Sequence, residues 1–517
     1  MKSRQLLRYC YWIFLGLLAI GWQGMRVAEA PRTPLHVSVD MQVGEEKQIT
    51  LRNGRTVQLR VISLDEEQDT ITRAVRKAEV IVSVDGETVT LVSANYNLPV
   101  TVGAVQIDCP ITRGYYSDTS RESWALEKDV RLRLWPAGSP WIQPGTFMYP
   151  AHQRWFATQT QMANEPTFVD GGEYPRDDIY YHNGLDIGGA EGLTEIVAAT
   201  DGLVVSSGDH VLEGYEDSPA RPRHDVVYVL DDRGWYYRYS HLWAIATIVT
   251  PGARVEMGDK IGMLGKEGGS GGWSHLHFDI SDRQPSEKWG TEEGYAFLWQ
   301  SYIDQYKPDV IAVARPHHFV QVGEEVVLDG SKSWSAHGGL ERFDWEFTNG
   351  EQAATAIVKR AYDKPGTYSE KLKVTDSRGN FDYEFAVVQV VDRSLDPARQ
   401  SAPGIHAVFY PTQNIQPGDP VTFLTRTFNT PEGNEVWNFG DGSSEVTVHC
   451  MPTIGSYFKK LFGGNLENRG DVHDVNGYVK TIHRFEKPGD YIVRVTHQDP
   501  RGYTVIDQVH VPVGVKE

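Results

Sequence analysis

The sequence predicts a mostly β protein of several domains. Its 517 residues are too many for one core, and the usual domain size suggests roughly three or four domains. Short runs of alternating apolar residues recur between Gly, Pro and Asp turns, and few stretches show helical spacing. The formal net charge of −19 makes the chain a poor candidate for holding nucleic acid or an anionic membrane by charge.

Residues 1–30 read as a signal peptide. Lys2, Arg4 and Arg8 form a positive start, and residues 12–22 (WIFLGLLAIGW) an apolar core. That core is shorter than the roughly 20 residues that span a bilayer. Ala28-Glu29-Ala30 supplies a small-x-small cleavage site. Pro31 would follow the cut and disfavours it, so an uncleaved anchor is the alternative. The expected location is secreted or extracytoplasmic, with no stable membrane span once the segment is removed. Beyond Cys10, only Cys109 and Cys450 remain, and no Cys pair has zinc-ligand spacing. A metal site must therefore use His and carboxylate.

Residues 31–150 are expected to form an N-terminal β accessory domain. Lys47–Leu51, Thr56–Val61 and Glu79–Val84 read as strands, and Asp85-Gly86 as a hairpin turn. No catalytic cluster stands out there, which favours a structural or positioning module. Residues 151–307 form the second unit, also read mainly as strands. Tyr295–Tyr306 has helical spacing and is expected to close it as a helix.

The chemistry lies in this second unit. His275 and His277 stand two apart, alternating with Leu276 and Phe278. On a strand, both imidazoles point to one face and the apolar pair to a core. His182 and Asp186 could meet on one ion through a helical turn or a tight loop. A His/His/Asp ligand set leaves one position open for water, as catalytic zinc sites do. Bound water then becomes a nucleophile near neutral pH, and the ion polarises a carbonyl. A further imidazole, His241 in Tyr239-Ser240-His241-Leu242, joins the set, and an imidazole beside the metal but off it can move the proton or steady the oxyanion. Each motif alone is commonplace; their meeting in one unit favours a site.

These motifs, in this order, resemble the lysostaphin-type zinc metalloendopeptidases, the Gly-Gly endopeptidase family, whose members mostly cut peptidoglycan peptides. His182–Ile187 resembles the HxGxD start, Ile196–Val204 the paired strands that follow, Tyr239–Leu242 the Y-x-H-L motif, and Gly258–Gly262 and His275–Phe278 the end. The resemblance spans about residues 178–283. It implies one zinc ion held by His182, Asp186 and His277, with His241 and His275 as catalytic imidazoles off the metal. Asp279 shares the His275/His277 face and could orient a ligand or simply face solvent. Two features depart from the pattern: a long insert between Gly208 and Val226, carrying His210 and His224, and a tryptophan in Gly268–Trp273. Both could line a substrate groove; the two insert histidines read as loop residues.

Residues 308–394 and 405–517 form a weak pair of repeats. Phe343–Phe347 and Tyr362–Tyr368 in the first correspond to Trp437–Gly442 and Phe485–Tyr491 in the second. They resemble PKD domains, immunoglobulin-like β-sandwiches common in secreted bacterial enzymes. Trp345 and Trp437 are the expected buried anchors. An insert at 450–478 interrupts the second copy, and His317-His318 read as surface and turn residues.

The sequence thus points to a secreted zinc metalloendopeptidase acting on peptidoglycan stem peptides or cross-bridges by zinc-activated water. An antiparallel-sheet peptidase domain would follow the N-terminal β domain and precede two immunoglobulin-like sandwiches. The alternatives are an endopeptidase acting on an extracellular protein, or a non-catalytic cell-wall regulator.

Overall fold

The computed structural model describes residues 32–514, apart from 72–73, 94, 118–122, 163–165, 168–179, 393, 395–402, 429, 431–432, 450–476 and 500–501. The signal-peptide reading and most of the insert expected at 450–478 lie outside the described residues, as does Cys450. Cys109 is a buried free thiol.

The protein is mostly β, as expected. Two four-stranded antiparallel sheets open it: Val37–Met41, Val130–Pro136, Val105–Thr112 and Val100–Val102 in one, Glu46–Thr50, Thr56–Gln68, Val75–Val84 and Glu87–Ser93 in the other. They share a core that includes Met41, Leu59, Val82, Ile107 and Leu132. Asp85 and Gly86 take left-handed φ values of 50° and 91°, the type I′ geometry whose twist matches the flanking strands.

An eight-stranded antiparallel sheet carries the candidate site. Leu185–Gly188, His275–Arg283, Tyr236–Ser240, Val227–Leu230 and Gly202–Ser207 lie in that order across it. Leu276 and Phe278 are 0% and 1% exposed, inside the main core, so the apolar alternation does fix which face His275 and His277 occupy. The helix Tyr295–Tyr306 forms where the spacing places it and stops at Lys307, whose φ of 50° ends the turn. It buries Phe297, Leu298, Trp299 and Tyr302. Arg133, on the first sheet pair, donates to Glu292 at 2.6 Å and ties that module to the strand before the helix.

Trp345 and Trp437 are 1% and 0% exposed, each inside its own core. The two cores do not belong to separate sheets. Gly366 and Thr367 pair in parallel with Thr504 and Val505, so one nine-stranded sheet runs from the first repeat into the second. The surface-and-turn reading of His317-His318 is wrong. Both are half-buried, and His318 opens the strand His318–Gln321, which pairs with Phe381–Val391. Burial pushes the His318 imidazole down to about 4.

Candidate active site

Register builds the site. Asp186 and Gly188 on Leu185–Gly188 stand opposite His277 and His275 on the neighbouring strand. The two-residue repeat puts Asp186, His275 and His277 on one face. His182 arrives from the loop before that strand, helped by Gly184. This residue has a φ of 108°, and a Cβ there would lie 3.0 Å from His277 Cε1. Glycine thus allows the loop to turn directly over the imidazole.

Three atoms converge: His182 Nε2, His277 Nδ1 and Asp186 Oδ1. The two nitrogens are 2.8 Å apart, His277 to Asp186 is 3.0 Å, and His182 to Asp186 is 3.2 Å. Ligands of a tetrahedral zinc at about 2.0–2.2 Å stand roughly 3.3 Å from one another, so the set fits a small cation. Burial pushes His277 well below the usual imidazole range, leaving it neutral with one nitrogen lone pair to give. Burial would raise Asp186, but its interactions with the His182 and His275 imidazoles hold its carboxyl well below the usual range. The three are the cation-sized cluster among the described residues.

His275 and His241 stand beside this trio, their rings 4.7 Å apart. His275 Nδ1 donates to the Trp273 carbonyl at 3.0 Å, so Nε2 faces the cluster, 3.5 Å from Asp186 Oδ1. Burial brings its pKa down to about 4. His241 Nδ1 donates to the Glu267 carbonyl at 2.6 Å. An Arg223 nitrogen also lies 3.3 Å from that Nδ1, but the much shorter carbonyl contact takes the proton. Both imidazoles thus commit Nδ1 to a backbone carbonyl and present Nε2 as the proton acceptor.

His241 has a φ of 66°, an uncommon conformation for a residue with a Cβ. What holds it there was not read from the sequence. The Asp225 carboxylate, wholly buried, accepts the His241 backbone N–H at 2.9 Å and two guanidinium nitrogens of Arg223, one at 2.6 Å. Burial alone would raise the Asp225 pKa; His241 and Arg223 pull it well below the ordinary range. Both residues close the long insert. The signal the sequence offers is a carboxylate two residues ahead of the apolar strand Val227–Leu230.

Asp279 lies on the site face, opposite Arg238. Its Oδ1 is buried with no hydrogen-bond partner among the described residues, and burial pushes it up to about 6. The solvent-facing alternative is therefore wrong. His210 and His224 of the insert are exposed, and His224 Nδ1 lies 3.9 Å from Asp225 Oδ1.

Residues 180–288 match the model of peptidase family M23, and residues 307–390 that of the PKD domain. The chain carries an M23 peptidase domain followed by a PKD domain. Collagenase ColA of Clostridium perfringens is 27% identical over 215 residues, 40% of this chain. The chain spans only 19% of that relative's length. Helicobacter pylori Csd3 matches at 14% identity over 51% of this chain and 82% of its own, with a TM-score of 0.20. The fibronectin(III)-like modules of Clostridium thermocellum CbhA match at 10% identity over 40% and 93%, with a TM-score of 0.14. At these TM-scores neither likeness bears on fold or function. The M23 domain contains all five residues described above, and a peptidase domain implies a peptide substrate.

Proposed function

We propose that this protein is a secreted zinc metalloendopeptidase that hydrolyses peptide bonds in peptidoglycan stem peptides or cross-bridges. The convergence of His182 Nε2, His277 Nδ1 and Asp186 Oδ1 within 3.2 Å of one another carries the reading. Two imidazoles and one carboxylate suit zinc better than calcium or magnesium, which take oxygen ligands. The chemistry such an ion supplies is Lewis-acid polarisation of a carbonyl and acidification of water.

The remaining chemistry belongs to this chain. His182, Asp186 and His277 hold the cation. His241 and His275 each turn Nε2 away from the carbonyl that holds Nδ1, one to accept the proton of the attacking water and pass it to the leaving amine. The other, once protonated, can donate to the carbonyl oxygen as it gains charge. The Trp273 and Glu267 carbonyls fix the tautomers that make this possible.

A second reading keeps the peptidase and changes the substrate to an extracellular protein. The similarity to a collagenase supports it, over a segment that is a small part of that enzyme. One experiment tests both. Purified peptidoglycan and denatured collagen are each incubated with the zinc-loaded protein and with its His241→Ala variant, and soluble products are identified by mass spectrometry. Peptide-bearing wall fragments that require His241 support the first reading. Collagen peptides without wall fragments support the second. A protein that binds no zinc defeats both.

A further inference from the structure

The loop that leads into His275 is rich in glycine. Residues 268–272 contain Gly268, Gly269, Gly271 and Gly272, and three of these take left-handed φ values of 64°, 68° and 84°. Such a run has high conformational entropy, and its order must come from contacts. Within the M23 domain, the Ser274 hydroxyl donates to the Gly189 carbonyl at 2.6 Å and His275 N–H donates to the Gly265 carbonyl at 3.0 Å.

Within the loop, the Ser270 hydroxyl donates to the Lys266 carbonyl and accepts the Gly272 N–H at 3.0 Å, and the Gly189 N–H donates to the Ser274 carbonyl at 3.3 Å. Further contacts come from the far end of the chain. Trp273 lies flat on Phe428, with ring centroids 3.8 Å apart and planes 11° apart. Arg426 Nη1 donates to the Gly272 carbonyl at 3.0 Å. The Ser274 N–H donates to the Tyr478 hydroxyl at 2.8 Å. Phe428 and Arg426 lie on the strand Val421–Phe428 of the second C-terminal sandwich, and Tyr478 directly precedes the strand Val479–His483 beside it. Val408 and Leu424 of the same sheet pack on Ala190, one residue from the Gly189 carbonyl. Trp273, in the stretch that could line a substrate groove, is half-buried and takes part in this contact.

We infer that the second C-terminal sandwich is part of the catalytic apparatus: Phe428, Arg426 and Tyr478 are positioning residues that fix the 270–274 loop and, through the Trp273 carbonyl, the orientation of His275. The Trp273 carbonyl is the acceptor that sets the His275 tautomer, so a displaced Trp273 turns or frees the imidazole while His182, Asp186 and His277 stay in place. The kinetic consequence rests on the peptidase reading; the ordering of the loop does not.

The test uses the full chain and four proteins: wild type, Phe428→Ala, Phe428→Tyr and Phe439→Leu. Phe439 belongs to the same sandwich core and lies outside this contact, so its variant separates loss of stability from loss of the contact. The first readout, on metal-free protein, is hydrogen exchange of the Ser274 and His275 amides. Phe428→Ala should exchange ~10-fold faster or more, with wild-type rates in the other two. The second is hydrolysis of a peptide substrate. Phe428→Ala should lose ~10-fold or more in kcat with KM and zinc content held, and Phe428→Tyr should recover it. Unchanged exchange in Phe428→Ala overturns the inference. So does faster exchange with full kcat, and so does an equal loss in Phe439→Leu. If wild type cleaves no peptide, the peptidase reading fails, and the exchange data alone decide whether the sandwich orders the loop.

Discussion

Replacing Asp225 by Asn changes one atom and the charge of a side chain that touches neither metal ligand nor substrate. In the native site its two oxygens serve the His241 backbone N–H, at 2.9 Å, and two guanidinium nitrogens of Arg223. Asn keeps one oxygen and adds two donors. Whichever way the amide turns, an N–H then faces either the His241 N–H or the guanidinium. A charge-assisted hydrogen bond is worth about 1.5–3 kcal/mol. Arg223 is a third exposed and recovers part of that from water, which leaves a net cost of about 1–2 kcal/mol at the site. His241 is held at a φ of 66° and should relax away from it. If that full cost appears in the transition state, kcat falls roughly 5- to 30-fold at unchanged zinc content. Removal of His241 itself should cost about 10²–10⁴-fold, the usual worth of a general acid–base group. The assay is kcat on a cleavable peptide, with metal content measured on the same samples. A kcat within twofold of wild type would refute the view that Asp225 holds His241.

Asp186→Ala and His277→Ala should each abolish stoichiometric zinc binding and turnover; elemental analysis that finds one zinc per chain in either variant contradicts the ligand set. His241→Ala should keep its zinc while losing turnover, and loss of metal there would put His241 on the ion. A strong chelator should remove activity from the wild type, and added zinc should restore it. Leu276→Ala, which empties a fully buried position between the two site histidines, should cost about 2–5 kcal/mol in denaturant unfolding. Burial lifts the Cys109 thiol to about 12, so at pH 8 its thiolate is scarce and alkylation, mapped by mass spectrometry, should reach it only after unfolding. Rapid native labelling of Cys109 would contradict that burial.

Much of the site could be read from the sequence because its spacing is one-dimensional. The alternation of His275, Leu276, His277 and Phe278 admits one strand face for the imidazoles, and the structure keeps it. The helix Tyr295–Tyr306 was visible for the same reason, in a 3.6-residue period. What the sequence concealed depends on distant pairings. Arg223 and Asp225 meet His241 because Val227–Leu230 and Tyr236–Ser240 pair antiparallel, a register no periodicity encodes. The stacking of Trp273 on Phe428 was concealed because the two lie more than a hundred residues apart. His317 and His318 resembled turn residues beside Pro316, whereas parallel pairing with Phe381–Val391 draws His318 into a sheet. The N-terminal sheets were legible as strands, but nothing in them announced that Arg133 would anchor on Glu292.

The sheet that crosses from one C-terminal repeat to the other has an engineering consequence. Repeats of this kind invite treatment as interchangeable beads, to be trimmed or swapped for convenience. Here a cut between them would unzip the Gly366–Thr504 pairing and strand Gln159, whose amide bridges Ser369 of one repeat and the Gln508 carbonyl of the other. It would also leave Arg154 without its His510 contact while its hold on Asp382 survived. A shortened protein made this way is a different molecule, with raw backbone where a seam used to be, and its behaviour says little about the intact chain.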